Sequence, residues 1–342
     1  MPKDTHIFRM TDSCGMLQHT RYGVPDPSTG YTVDDNARAL IMAILLFEAT
    51  QKQEYLNLVV RYLGFLMHAQ NGAWFRNFMD YDRCFTEEKG SPDSFGRCIW
   101  ALGFAASCSC LPAAIRDAAI SLLKQTVTGC DELISLRAKA YALIGLSYWQ
   151  DQETSGRKRK LAAGLAQTYH HAAETGWKWF EESITYCNAV LPWAMLMAPE
   201  TKEDNYRNIG LESLDFLLGV TLDGEFFHPV GCNGWLLKGK KTAKSDEQPV
   251  EACETLLACL KAYELTGNEI YRNCARRCLA WYTGQNSLGV SLIDPDTGGC
   301  MDGIMSGGVN RNQGAESIVS WMIASLAWQE HAKAENSFPD DV

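Results

Sequence analysis

The sequence predicts an all-α protein, an (α/α)6 toroid in which an outer ring of helices wraps an inner one. Three observations carry this expectation. Apolar residues recur at helical spacing with little strand-like alternation, nearly all-apolar helices alternate with amphipathic ones, and short connections alternate with long ones.

The first helix spans about 34–49, where DDNARALIMAILLF leaves no polar face beyond the first turn, so it is buried on every side. The second, 53–69, sets Tyr55, Leu58, Val59, Tyr62, Leu63 and Leu66 on one face and belongs outside. Helices follow over 91–107, 112–128, 133–149, 156–174, 181–198, 202–219, 249–266, 269–284 and 313–333. Every second one is apolar or small-residue throughout (CIWALGFAA, AKAYALIGLSYW, AVLPWAMLM, ACETLLACLKAY, IVSWMIASLAW), whereas those between carry a charged face, as in IRDAAISLLKQT and EIYRNCARRCLAWY. Only a short polar tail follows His331, so the twelfth helix is short or replaced by the N-terminal segment.

Connections 51–52, 108–111, 199–201 and 267–268 are brief, while 70–90, 220–248 and 285–312 are long. Short loops join antiparallel neighbours, so one end of the ring is a plain base and the other an elaborated mouth. The inner helices open onto that mouth with their N-termini. We read residues 1–342 as a single catalytic domain, with 1–30 lining the mouth; two helical domains are the alternative.

The 342 residues are 46% hydrophobic, ample for a large core, and the formal charge of −10 speaks against a nucleic-acid or anionic-membrane partner. The N-terminus has no signal-peptide run, and no window reaches the roughly 18 apolar residues of a membrane span. Thirteen cysteines, several at helical spacing among apolar residues (Cys98, Cys253, Cys259, Cys274, Cys278), read as small hydrophobes in a reducing, cytoplasmic compartment. Cys108 and Cys110 lack a second ligand pair at zinc-site spacing, so they read as structural, and neither metal nor cofactor is expected.

Acids cluster at the starts of the inner helices: Asp34 and Asp35, Asp93, Glu181 and Glu182, Glu251, Glu316. Singly, each is explained as a first-turn carboxylate favoured by the helix dipole. Gathered around one cavity, like charge and burial would instead drive their pKa values apart, leaving a neutral acid beside an ionised one. That pairing is what glycosidic cleavage uses. Ser91-Pro92-Asp93 and Gln248-Pro249-Val250-Glu251 fix two starts sharply, because proline suits the first helical position. Asp93 and Glu251 therefore lead as a catalytic pair facing across the ring, with inversion expected; Asp34, Asp35 and Glu316 follow. Arg38 and Arg97 stand four residues after Asp34 and Asp93 and are expected to pair along their own helices.

Aromatic residues of the mouth loops suit pyranose rings, with core packing the competing role. Candidate substrate contacts are Tyr31, Trp74, Tyr81, Trp177, Trp179 and Trp235, with the polar residues His19, Asn36, Asn77, Asp80, His228, Asn312 and Gln313. The basic run Lys238 to Lys244 reads as a solvated flap, or as a lid over an anionic ligand.

The motifs TDSCGMLQHTRYGVPDPSTGYTVDDNARAL, WFRNFMDYDRCF, SPDSFGRCIWALG, QPVEA and GGVNRNQGAES resemble a bacterial and archaeal family of six-hairpin glycosidase-like domains. Its members occur alone or joined to retaining glycosyltransferases of the two-Rossmann-domain type. The resemblance runs from about Thr11 to Trp328 and departs from the family pattern at Cys14, Cys84 and Cys98. It implies the toroid and carbohydrate metabolism, with a β-mannoside or related oligosaccharide as substrate. The leading function is thus a metal-independent glycoside hydrolase. A sugar epimerase or isomerase, which would need histidines such as His19 or His228 for proton transfer, is the second reading, and a non-catalytic carbohydrate-binding module the third.

Overall fold

A computed structural model describes residues 1–149, 151–199, 205–224 and 226–336. Helix α1 (Thr5–Met10) is followed by α2 (Val33–Thr50), α3 (Gln53–Ala69), α4 (Pro92–Ser107), α5 (Ala113–Thr126), α6 (Leu136–Tyr148) and α7 (Gln152–Ala172). The second half holds α8 (Val190–Met197), α9 (Tyr206–Thr221), α10 (Pro249–Thr266), α11 (Glu269–Tyr282) and α12 (Ala315–Asn336). Helices α2, α4, α6, α8, α10 and α12 each pack on the next, and α12 packs back on α2, which closes an inner ring. Outside it, α3, α5, α7, α9 and α11 each lie against the inner helix that precedes them. The chain is an (α/α)6 toroid.

The twelfth position is filled from the N-terminus. Short α1 lies against α12, the Tyr55 hydroxyl donates to Asp4 at 2.5 Å, and Phe8 stacks on the Tyr55 ring. His6 Nε2 meets the Gln313 carbonyl at 2.8 Å, which ties this segment to the start of α12.

Most helix boundaries fall within a few residues of the sequence expectation. The exception is 181–198, where the helix begins only at Val190. Pro192 must sit in a first turn, since its missing N–H and its ring are tolerated there and not deeper. Residues 183–184 instead pair with 236–237, and the Asn188 side chain accepts from the Thr185 amide at 2.9 Å. Glu181 and Glu182 are therefore loop residues. Among the described residues, six two-stranded ladders of two or three residues per strand stiffen the N-terminal segment and the long connections. Among the described residues no helix is long and apolar enough to cross a membrane.

Glycines set the closest helix contact. A Cβ on Gly103 of α4 would lie 2.0 Å from the Gly145 carbonyl oxygen of α6, and one on Gly145 would lie 2.3 Å from that of Ile99. Backbone cannot yield as a side-chain tip does, so Gly145→Ala is expected to destabilise the protein by about 2–3 kcal/mol or more through overpacking. Urea unfolding measures this; a loss below about 0.5 kcal/mol would mean that α4 and α6 separate freely.

Candidate active site

A cavity of about 360 Å³ opens where α2 and α12 begin, its wall completed by residues from the N-terminal segment, 77–78, Gln248 and the 302–310 hairpin. Each acid there is placed by a helix start. The Thr32 hydroxyl caps α2 by accepting from the Asp35 amide at 3.0 Å, which puts Asp34 and Asp35 in the first turn. Glu316 is the second residue of α12.

Arg38, one turn into α2 and 4% exposed, binds all three. It reaches Asp34 at 2.9 Å, Asp35 at 3.0 Å and, through its other terminal nitrogen, Glu316 at 3.0 Å. The expected intrahelical pairing of Arg38 is thus present. That of Arg97 is not: Arg97 crosses from α4 to Asp34 at 2.5 Å, and also donates to the Tyr141 hydroxyl at 3.2 Å and Cys187 Sγ at 3.0 Å. Asp93 is held instead by Ser135 Oγ at 2.6 Å and the Tyr186 hydroxyl at 2.7 Å.

Two guanidiniums therefore face three carboxylates in a largely buried cluster, an imbalance that disfavours ionising all three together. Burial pushes the Asp35 carboxyl up to about 7, with the Asp34 and Glu316 charges adding to the rise and Arg38 opposing it. Burial also works against ionisation of Asp34, but Arg97 and Arg38 together outweigh it and hold its carboxyl below the usual range. Glu316 remains 39% exposed, with one oxygen on Arg38. Its other oxygen has no hydrogen bond among the described residues. Asp302 joins the cavity from the hairpin, its carboxyl raised by burial against hydrogen bonds from Ser317 Oγ and the Gly314 amide, both at 2.7 Å. On the buried face of α10, outside the cavity lining, burial pushes Glu254 up to about 8, and the Tyr141 hydroxyl donates to it.

Of the sequence candidates, Asp34, Asp35, Glu316, His19 and Asn77 meet in this cavity. Asp93 and Glu251 do not line it. Glu251 is 4% exposed and accepts from the Cys187 amide and from Asn188 Nδ2, the latter at 2.9 Å, while Asp93 takes the neighbouring Tyr186. The 183–188 segment, expected to be helical, thus stands between the two acids and consumes both as anchors. The basis for expecting inversion, a pair facing across an open ring, goes with it.

Several aromatic candidates are packing rather than contact surface. Trp74 (7% exposed) stacks on Phe95 and donates to the Gly90 carbonyl, Trp179 (0%) is core, and Trp177 (6%) donates to the Glu181 carbonyl. Tyr31 (1%) donates to Asp12 and stacks on Tyr81, itself 54% exposed, and Trp235 is 40% exposed away from the cavity lining. Asn36 (0%) is spent on the Met16 backbone and the Thr32 carbonyl. The Asn312 side chain accepts from the Tyr22 amide, Gln313 is buried with its amide donating to Asp294, and Asp80 closes its own turn on the Cys84 amide. His228 lies 3.1 Å from buried Glu247, outside the cavity. In the basic run, Lys238 pairs with Glu174 and Glu182.

Comparison with solved structures shows the same architecture over nearly the whole chain. A sugar epimerase from a ruminal bacterium aligns with a TM-score of 0.72 at 11% identity, covering 94% of each chain. A cellobiose 2-epimerase from Bacillus thermoamylovorans aligns at 0.69 and 14% identity, covering 94% of this chain and 95% of that one. An α-1,6-mannanase from Salegentibacter aligns at 0.64 and 12% identity, covering 95% and 96%. The likeness is one of fold. Neither a family model nor a curated protein matches the chain in sequence.

Proposed function

We propose that the chain is a carbohydrate-active enzyme that hydrolyses glycosidic bonds of oligosaccharides, α- or β-mannosides among them, with residues 1–342 forming one catalytic domain. The observation that supports this best is the charge imbalance in the cavity: three carboxylates on two arginines, with Asp35 keeping a proton near neutral pH. In this reading Asp35 protonates the departing glycosidic oxygen. Glu316, with an unbonded oxygen toward the cavity, activates water or attacks the anomeric carbon. Asp34, pinned by two guanidiniums, holds the arginines in place and does not react. Exposed Phe78 beside Asn77 offers an apolar face to the sugar. All thirteen cysteines are free thiols, which fits the cytoplasmic location we assign.

The mannanase neighbour favours hydrolysis and the epimerase neighbours a second reading, in which His19 and Asp302, both in the cavity, move a proton at a sugar carbon. Incubation with α- and β-linked manno-, gluco- and galacto-oligosaccharides separates them. New reducing ends, lost in Glu316→Gln by about a hundredfold or more, are the expected result. Deuterium uptake from heavy water into an intact sugar, without new ends, would install the epimerase. Tight oligosaccharide binding with no product of either kind would leave a binding module.

A further inference from the structure

The opposite end of the ring carries a second cluster that the cavity chemistry does not use. Helix α4 ends at Ser107, and a turn closed by the Leu111 amide on the Cys108 carbonyl (3.3 Å) brings Cys108 Sγ within 2.9 Å of Cys110 Sγ. Glu48, in the last turn of α2, adds a carboxylate, and the three donor atoms lie within 4.8 Å of one another. A sequence search for paired ligands along the chain misses this set because its third member comes from another helix.

The surroundings favour a cation. The C-terminal ends of α2 and α4 converge here, and each presents the negative pole of its dipole. Glu330 on α12 lines the same surface cavity as Glu48, together with Lys333. Two sulfurs and one carboxylate oxygen make a soft, tetrahedral-type donor set with one position left for water.

We propose that Glu48, Cys108 and Cys110 form a binding site for a thiophilic divalent cation of the Zn²⁺ class, fastening the ends of α2 and α4 together. Binding breaks two S–H bonds, releases two protons to solvent and forms two metal–sulfur bonds with no change of oxidation state. With metal–sulfur bonds near 2.3 Å the sulfurs must open from 2.9 Å to about 3.8 Å, a rotation of the buried Cys108 and half-buried Cys110 side chains.

The test uses the full chain, reduced and stripped of metal with a chelator, then titrated with Co²⁺ and back-titrated with Zn²⁺. One equivalent of Co²⁺ should produce a near-ultraviolet sulfur-to-metal charge-transfer band that Zn²⁺ abolishes, and Zn²⁺ should raise Tm. Cys108→Ser and Cys110→Ser should each remove the band. Glu48→Gln, at an exposed position where folding is not at risk, should raise the zinc dissociation constant about tenfold or more. An absent band, a band that survives both serine variants, unchanged zinc affinity in Glu48→Gln, or a Cys108–Cys110 disulfide that persists under reductant in place of metal uptake would each overturn the proposal.

Discussion

Asp35→Asn is expected to lower turnover of an oligosaccharide by about 10²–10⁴-fold, the usual contribution of a positioned general acid, with little loss of stability below pH 7. The two halves of that expectation have one cause. Burial keeps the carboxyl protonated up to about pH 7, so the amide replaces one neutral group by another of nearly the same shape. What the amide lacks is a transferable proton. Wild-type activity should accordingly fall as pH rises through about 7, and the variant should lose that limb along with the rate. A substrate with an acidic leaving group, such as a nitrophenyl glycoside, needs no protonation and should be cleaved by the variant at a rate much closer to wild type. The stability sign follows from linkage. The folded carboxyl titrates near 7 against 3.8 as its ordinary value, so between these limits the folded state holds more protons than the unfolded one. Wild-type stability from this group is full below about pH 4 and is lost as pH rises to about 7. Asp35→Asn removes that slope. A variant with normal turnover of both substrates would remove Asp35 from the chemistry.

How far the sequence reaches is clearest in the two acid pairs. Asp34 and Asp35 were legible because an all-apolar helix leaves little choice about where its first turn begins, and the structure adds the Thr32 cap that fixes it. Asp93 and Glu251 have equally sharp helix starts, each with proline in first position. Their fate depended on residues 183–188, whose polar-aromatic run followed by AVLPWAMLM was read as one helix. Only a register set by long-range pairing with 236–237 and by the Asn188 side chain shows that it is a strap. Arg97 illustrates the same limit: spacing offers it Asp93, but Ser135 and Tyr186 already hold that carboxylate, and Asp34 reaches it from the neighbouring inner helix α2. Glu254 carried a signal that was available, since it follows Glu251 by three residues on the buried face of an inner helix. Asp302 carried none, because it is delivered by a short hairpin and not by a helix start. Ring topology was easier to read, since it rests on alternation repeated six times.

Replacement of Arg38 should be the most disruptive single change. Arg38→Met leaves Asp34, Asp35 and Glu316 with Arg97 as their sole guanidinium, and breaking a buried ion pair from one side costs about 3–5 kcal/mol. Most of that loss falls on Asp34, because Asp35 is neutral below about pH 7 and Glu316, 39% exposed, is partly screened by water. Arg38→Lys should restore little. An ammonium is a point charge and cannot present two nitrogens in different directions to carboxylates on α2 and α12. The defect should also depend on pH with a definite sign. Without the guanidinium the remaining carboxyls titrate higher in the folded state, so acidification neutralises them and relieves the penalty, whereas alkaline conditions impose it fully. Urea unfolding of both variants and wild type at pH 5 and pH 8 tests this: the gap should be several-fold larger at pH 8. An equal gap at the two pH values would mean that Arg38 serves the fold through the packing of its stem alone, and the charge imbalance assigned to the cavity would have no energetic consequence.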